Sequence, residues 1–586
     1  MISRVWPFIA HRQPLRHVRS AWWIDLLLAI MLVFGIYGII RIAERWAAPL
    51  TPTTAISLSP WALPQYALFS LSRMAFAYVL ALAFSLLYAR IAVANKATER
   101  VLVPLLDILQ SIPILSFMPG VVLALVTLFP HRSLGTELAA IVLIFTSQAW
   151  NLAFSFYQSL ITIPQDFREV ARLFRLTPWE RFTRLELPFG LIPLLWNSMM
   201  SWAGGWFFLM ASEQFTLGQQ SFLLPGLGAY LKVAADRGDL YALGLGLLAL
   251  IIVIVLLDQF LWRPLLAWAD RFKVEQTTGL VTPSSWVLEI LQRSLLLTWA
   301  REHLVAPTVR SLDRLMNRIV PGEPSPASGD AISPPGTVWR WTFATFAGLG
   351  ILLFIGWGVR AAGHLLIALP ATAWATIAQD AGLSFLRVAA SLLIAVIWTV
   401  PVGVAVGLSP RWAPKIQPIV QMVASIPATA LFPALLLLLL HLPGGLDVAA
   451  IALMLLGTQW YVLFNVIAGA MAIPNDLKEA AAIYHLTGWH RWRILILPAI
   501  FPFLITGLIT AAGGAWNATI VAEYVTFQDQ VYQTSGLGAL IAASANAGNY
   551  PELFAATLTM AVVVVLLNRA FWRRLYRLAA TRFRLD

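Results

Sequence analysis

The sequence predicts an all-α, polytopic membrane protein made of two parallel repeats of six spans each. Three observations carry that prediction. The composition is 59% hydrophobic and only 12% charged, with a mean hydropathy of +0.76, far from the soluble norm. Long unalternating runs of Leu, Ala, Val and Ile recur, and because a hydrocarbon core of about 30 Å needs about 20 apolar helical residues, they amount to about twelve spans. Finally, a distinctive polar run occurs twice. Ile163-Pro164-Gln165-Asp166-Phe167-Arg168-Glu169-Val170-Ala171 returns 310 positions later as Ile473-Pro474-Asn475-Asp476-Leu477-Lys478-Glu479-Ala480-Ala481. Only helices and closed barrels satisfy the backbone in lipid, and the lack of alternation excludes a barrel.

In chain order, the spans are expected near 22–41, 66–89, 114–129, 137–158, 189–212, 240–262, 338–359, 383–407, 417–440, 447–470, 499–522 and 552–572. The net charge of +12 is distributed as a topology signal rather than as a nucleic-acid surface. Arg4, Arg12, Arg16 and Arg19 precede the first span; Arg90, Lys96 and Arg100 follow the second. Arg263, Arg271 and Lys273 follow the sixth, and Arg573, Arg574, Arg577, Arg582 and Arg584 follow the twelfth. Alternating spans put all of these on one side, which the positive-inside rule makes cytoplasmic, together with both termini and both polar runs. The first apolar segment lacks a small-residue cleavage site and reads as an anchor rather than a removable signal. There is no cysteine, so disulfides, thiolate nucleophiles and cysteine metal sites are excluded.

The duplication extends well beyond the polar run. Arg73 matches Arg387 and Ser111-Ile112-Pro113 matches Ser425-Ile426-Pro427, each 314 apart, and Gln148 and Gln459 are 311 apart. After the polar run the offset is 310: Trp206 with Trp516, Glu213 with Glu523, Gly226-Leu227-Gly228 with Gly536-Leu537-Gly538, and Trp262-Arg263 with Trp572-Arg573. The domains are therefore a first half at 1–272 with its repeat core at 66–272, and a second half at 338–586 with its core at 380–582. Six spans return the chain to its starting side, so the repeats are parallel and related by an axis along the membrane normal. Residues 273–337 link them. Trp286 to Ile319 reads as an amphipathic helix suited to the membrane surface, with Leu288, Leu291, Leu295 and Trp299 on one face and Arg310, Arg314 and Arg318 at four-residue spacing. Pro321 to Gly329, followed by Pro334-Pro335, cannot sustain a helix and reads as a tether.

Each polar run reads as a short cytoplasmic helix lying across the membrane surface. Pro164 or Pro474 sits at its start, and Asp166, Glu169, Asp476 and Glu479 bring carboxylates toward the positive end of the helix dipole. Small Ala171, Ala480 and Ala481 permit close approach of a partner, and Trp179 and Trp489 follow before Leu187-Pro188 and Leu497-Pro498 begin the next span. This pattern resembles the EAA loop of binding-protein-dependent ABC importer permeases, with Leu-Pro ending nineteen residues after the Glu in both copies. Ser70 with Arg73, Ser384 with Arg387, and the Glu and Gly-Leu-Gly elements resemble the nitrate/sulfonate/bicarbonate (NitT/TauT) branch, in a fused permease of the type I (MetI-like) fold. The family usually has Gly six residues after the Glu, where this chain has Arg175 and His485. Either the bend is made differently here or the partner surface has changed.

The resemblance implies a chain that is not itself an enzyme and carries no cofactor. ATP and Mg would be bound by two cytoplasmic ATPase subunits, one on each EAA-type helix, and an extracytoplasmic substrate-binding protein would deliver a small, anionic solute. No phosphate-binding loop motif occurs in the sequence. The implied location is a bacterial-type cytoplasmic membrane. Pathway candidates are the polar residues within apolar spans, because such residues usually face a cavity or a partner. Arg73 and Arg387 are candidate oxyanion contacts, with a helix-end or interfacial role as the alternative. Gln148, Gln459, Ser111, Ser425, Asn197 and Asn517 are candidate donors to cargo, with helix-helix contacts as the alternative. Glu213 and Glu523 suit a gate or structural role. A twelve-span secondary transporter and a non-transporting ATPase scaffold are the competing readings.

Overall fold

The computed structural model describes residues 22–47, 55–129, 133–217, 220–272, 285–319, 362–409, 426–439, 444–527 and 530–582, with a few further positions between 353 and 424. Helix α1 (Trp22–Ala47) precedes the first repeat. That repeat runs α2 (Leu63–Ala94), α3 (Lys96–Ser111), α4 (Met118–Leu128), α5 (Leu134–Ile161), α6 (Gln165–Leu173), α7 (Pro178–Arg181) and α8 (Leu187–Ser212). A hairpin of β1 (Gln214–Leu217) and β2 (Gln220–Leu223) then leads to α9 (Leu227–Asp236), α10 (Leu240–Leu257) and α11 (Arg263–Ala269). The central segment holds α12 (Trp286–Leu291), α13 (Leu295–Ala300) and α14 (Ala306–Ile319).

The second repeat runs α15 (Ala371–Gly407), α16 (Ala428–Leu439), α17 (Gly445–Met471), α18 (Asn475–Ile483), α19 (Gly488–Arg491) and α20 (Leu497–Ala522). It closes with β3 (Tyr524–Phe527), β4 (Gln530–Gln533), α21 (Leu537–Ala547), α22 (Tyr550–Leu567) and α23 (Arg573–Arg582). From α6 and α18 onward every element starts 310 positions after its counterpart, so the sequence duplication is also a structural one. Even the wide π-turns recur, at Phe182–Glu186 and Trp492–Ile496 before the Leu-Pro pairs, and at Asp258–Trp262 and Asn568–Trp572.

Among the described residues, seven helices are long and apolar enough to cross a membrane: 60–94, 134–161, 240–269, 371–407, 445–471, 488–522 and 550–579. The span expected at 338–359 falls almost wholly outside the described residues, and the one at 417–440 is continuous only from 426. Helix α8 is outside that set, although its register partner α20 belongs to it; Asn197, Ser198 and Ser201 dilute its hydropathy.

One expected span differs in kind. Residues 114–129 are not one full crossing but a 3-10 turn, Ile114–Phe117, followed by the 11 residues of α4. At about 1.5 Å per residue α4 is far shorter than a hydrocarbon core of about 30 Å. The cause is Pro113, which has no N–H and forces Ile112 into the extended region (φ −77°, ψ 123°). The amphipathic α3 before the break was not anticipated. In the second repeat the Ile426-Pro427 break similarly leaves the 12-residue α16.

Each repeat is centred on one helix sandwiched between two others: α5 packs on α2 and α8, and α17 on α15 and α20. Small residues let these backbones approach, as bundles in lipid require. A Cβ on Gly407, for example, would lie 2.7 Å from the Ile467 carbonyl oxygen. The repeats meet at the broken span, where the Ile114 N–H donates to Asn517 Oδ1 at 2.5 Å and Thr557 Oγ1 donates to the Ser116 carbonyl. Lys232 Nζ also donates to the Thr526 carbonyl of the other half.

Candidate functional site

The two polar runs fold into the same motif. Pro164 and Pro474 are the residues immediately before α6 and α18, and each helix buries one small residue, Ala171 (6% exposed) or Ala481 (5%). Asp166, Glu169, Asp476 and Glu479 face outward, and Ala480 is half-buried. Large apolar residues project from the ends of the helices: Leu173 and Phe174 in the first copy, Ile483 and Tyr484 in the second. Beside α6 lies a groove of about 450 Å³ lined by Ile161, Ile163, Gln165, Arg168, Glu169 and Arg172.

Each short helix ends in the same reversal. Leu176 N–H donates to the Ala171 carbonyl at 3.1 Å and Arg175 N–H to that of Arg172 at 2.9 Å; Leu486 and His485 make the equivalent bonds to Ala481 and Ala482. Such a cap needs a left-handed residue, usually glycine. Arg175 (φ 48°) and His485 (φ 50°) supply it and are the non-glycine residues with positive φ among those described. The bend is therefore the one a glycine would make, held here by L-residues at a cost of about 1 to 2 kcal/mol each.

Beyond the bend the two copies diverge. In the first copy, Thr177 and Glu180 form a reciprocal capping box. Glu186 pairs with Arg181 at 2.7 Å and with Arg90 at 3.3 Å, and Arg184 pairs with Glu180. Arg90 also donates to the Pro178 carbonyl. The central helix α14 docks here: Trp179 Nε1 donates to Asp313 Oδ1 at 2.8 Å and Thr177 Oγ1 to Asn317 Oδ1 at 2.7 Å. In the second copy Thr487 makes no side-chain cap, Gly488 adopts φ 51°, and Trp489 is 68% exposed. Ile494 and Ile496 stand where Arg184 and Glu186 stand in the first.

At the opposite end of the spans, the two arginines expected to meet an anion lie instead among carboxylates. Arg73 is buried; its Nε and Nη2 donate to Glu137 at 2.6 and 2.8 Å, and its Nη1 to Glu213 at 2.6 Å. Ser70 Oγ donates to Glu213 and accepts from the Leu227 N–H, while the Gly228 N–H donates to Glu213 Oε2 at 2.7 Å. The second repeat builds the same clamp from Ser384, Arg387, Glu523, Leu537 and Gly538, with Asp447 in place of Glu137. Here Arg387 also donates to Thr534 and to the Ser535 carbonyl.

The clamp explains the Gly-Leu-Gly element. A carboxylate sits against the N-terminus of α9 or α21, where dipole and free N–H groups favour it. A Cβ on Gly226 would fall 2.2 Å from Glu213 Oε1, and one on Gly536 would fall 2.3 Å from Glu523 Oε2. The guanidinium charge is thus met by carboxylates of the same chain, and Glu213 and Glu523 tie span ends together. Sequence reading missed Glu137 and Asp447. The available signal was two acidic residues, 310 apart, in otherwise apolar helix starts.

The remaining polar candidates scatter. Gln148 and Gln459 lie in helices aligned at an offset of 310, so the register partner of Gln148 is Thr458, and the two glutamines point about 100° apart. Gln148 is fully buried with both amide atoms lacking hydrogen-bond partners, whereas Gln459 accepts from Trp398 Nε1. Asn197 and Asn517 are not equivalents either, since Gly507 occupies the position matching Asn197. Asn197 donates to Ser155 Oγ and to the Pro193 carbonyl. Asn517 caps the broken span of the other repeat. The side chain of Ser111 and all of Ser425 fall outside the described residues.

Duplicated helical repeats, each with an inter-span motif and a Ser/Arg/Glu clamp, define a membrane permease fold. The family model for the binding-protein-dependent transport system inner membrane component matches residues 81–262 and again 399–584. The chain belongs to that family and carries its domain twice. It is 29% identical over 187 residues to the nitrate import permease protein NrtB of Leptolyngbya laminosa, covering 32% of this chain and 63% of the relative. It is 31% identical over 153 residues to the bicarbonate transport system permease protein CmpB of Synechococcus elongatus (26% and 51%) and 27% identical over 204 residues to the taurine transport system permease protein TauC of Escherichia coli (34% and 70%). The chain spans between half and two thirds of the length of the nitrate and bicarbonate relatives it matches.

Proposed function

We propose that this chain forms the substrate pathway of an ATP-driven importer for a small anion, with its two motif segments, α6–α7 and α18–α19, acting as coupling elements. The observation that carries the reading is the identical left-handed reversal in both copies, which presents Leu173-Phe174 and Ile483-Tyr484 outward beside exposed carboxylates. A protruding apolar tip with an acidic flank suits a cleft on a partner, and two copies call for two ATPase subunits. Those subunits supply the ATP and Mg chemistry, and an external binding protein supplies cargo. The motif segments and both termini then lie on the cytoplasmic side, consistent with the basic residues around them.

The anion class is supported by the relatives, whose names record nitrate, bicarbonate and taurine. Cargo would pass between the repeats, and the interruptions of helix just before α4 and α16 support that path. Non-helical backbone within a bilayer is tolerated only where protein or a water-lined cavity surrounds it. The arginine clamps hold span ends and do not contact cargo.

Charge reversal tests the coupling assignment. Glu169→Lys with Glu479→Lys reverses the charge at the middle of each short helix, beyond its first turn, so the expected loss is of partner contact and not of the helix. The doubly substituted chain is expected to insert normally and to lose the ATPase on co-purification. Recovery of the ATPase at the unsubstituted yield overturns the assignment.

A further inference from the structure

The central segment carries more than a tether. From Leu295 to Ile319 it is one helix interrupted only by a π-turn at Arg301–Val305, about 37 Å long at 1.5 Å per residue. Both ends are fastened by side chains. At the start, Asp25 in the first turn of α1 accepts from Ser294 Oγ at 2.6 Å and from the Leu296 N–H at 3.1 Å. At the far end, Asp313 and Asn317 accept from Trp179 and Thr177 of the first motif segment. The helix is thus pinned between the first turn of α1 and the first motif segment.

Its outward face has a definite chemistry. Trp299, Leu304, Leu312 and Leu315 are each 45 to 56% exposed. Arg310, Arg314 and Arg318 are exposed alongside them, and Arg310 and Arg314 fold back along the helix to hydrogen-bond within it. Apolar anchors bordered by a cationic row complement an anionic headgroup layer, into which such a helix sinks its apolar side.

We propose that α13–α14 is a lipid-reading strut: it binds anionic headgroups and passes that anchorage through Trp179 and Thr177 to the first motif segment and not to the second. The consequence for ATPase coupling rests on the function proposed above; lipid binding and its transmission do not. The second segment, with Trp489 exposed and Thr487 uncapped by a side chain, has no such attachment among the described residues.

The test uses the full chain in nanodiscs of phosphatidylcholine alone or mixed with phosphatidylglycerol. Because the sequence has no cysteine, Leu312→Cys carries a single environment-sensitive fluorophore. The label is expected to be shielded from acrylamide only when phosphatidylglycerol is present. Arg310→Gln, Arg314→Gln and Arg318→Gln together should lower the ratio of shielded to exposed label at least about tenfold, since each surface cation contributes measurably to anionic-lipid attraction. Hydrogen exchange at 177–186 should slow in the anionic discs while 487–496 stays unchanged. Asp313→Ala with Asn317→Ala should abolish that slowing yet leave the Leu312→Cys label shielded. A label equally accessible in both lipids, or shielded only when purified ATPase is added, overturns the lipid assignment. Exchange at 177–186 that ignores lipid composition overturns the transmission. Every expected result is read without the ATPase, which enters only as a control, so failure here leaves the coupling assignment standing, and failure of co-purification leaves this one standing.

Discussion

The two motif segments share a helix, a buried alanine and a left-handed reversal, yet they are held very differently. The first is cross-linked to its surroundings through Arg90, Glu186, Arg181 and α14. The second turns through Gly488 and leaves Trp489 in the open. The clamps differ in the same direction: Glu137 is 2% exposed beside Arg73, whereas Asp447 is 51% exposed beside Arg387. In a homodimer both sites would have to be the same. A fused chain can keep the reversal that both copies need and make one half the rigid one. The comparison therefore assigns the first repeat as frame and the second as the more compliant partner.

The largest contrast is expected at the clamps. Arg73→Gln leaves two carboxylates buried without their cation, which costs about 3 to 5 kcal/mol; Arg387→Gln costs less because Asp447 is already half in solvent. Thermal unfolding of the two purified variants should show the first midpoint falling further, and equal falls would remove the asymmetry. Gly→Ala in the Gly-Leu-Gly element reverses the order. A Cβ on Gly538 meets the Thr519 backbone at 2.4 Å, whereas one on Gly228 meets the Glu213 side chain at 2.9 Å and the Met210 backbone at 3.1 Å. Overpacking costs about 1 to 3 kcal/mol, and the same unfolding assay should find Gly538→Ala at the upper end.

Arg175→Gly and His485→Gly each relieve a left-handed L-residue and are expected to stabilise by about 1 kcal/mol, equally in both copies; unequal gains in melting would mean the reversals are not the same. Trp179→Phe removes one hydrogen bond and should cost about 0.5 to 1.5 kcal/mol. Trp489→Phe should leave unfolding unchanged, because its ring already lies in the open.

The repeats, the motif helices and most spans were legible in the sequence because each depends on local pattern: apolar run length, Pro at a helix start, and offsets that survive duplication. The clamps were half legible. Ser70, Arg73, Glu213 and the Gly-Leu-Gly element were found as separate matches, but their convergence is tertiary, and without Glu137 an arginine in an apolar span reads as a site for an anion. At Ile112-Pro113 the apolar run is long enough for a whole span, and the proline that breaks it is a single residue against that pattern. Gln148 and Gln459 match by residue type, but their helices align one position out, as the continuous backbone of α5 and α17 reveals. The docking of α14 on Trp179 joins residues 134 apart in sequence and left no local trace.

Proximity decides whether both motif segments grip ATPase subunits from the cytoplasmic side. In the cysteine-free background, Leu173→Cys and Ile483→Cys place a thiol at each exposed tip. A short bifunctional maleimide applied to membranes containing the assembled transporter should cross-link the ATPase to both positions, and a membrane-impermeant thiol reagent added from outside should block neither. Cross-linking at neither tip, or blocking of either from the outer face, would contradict the account.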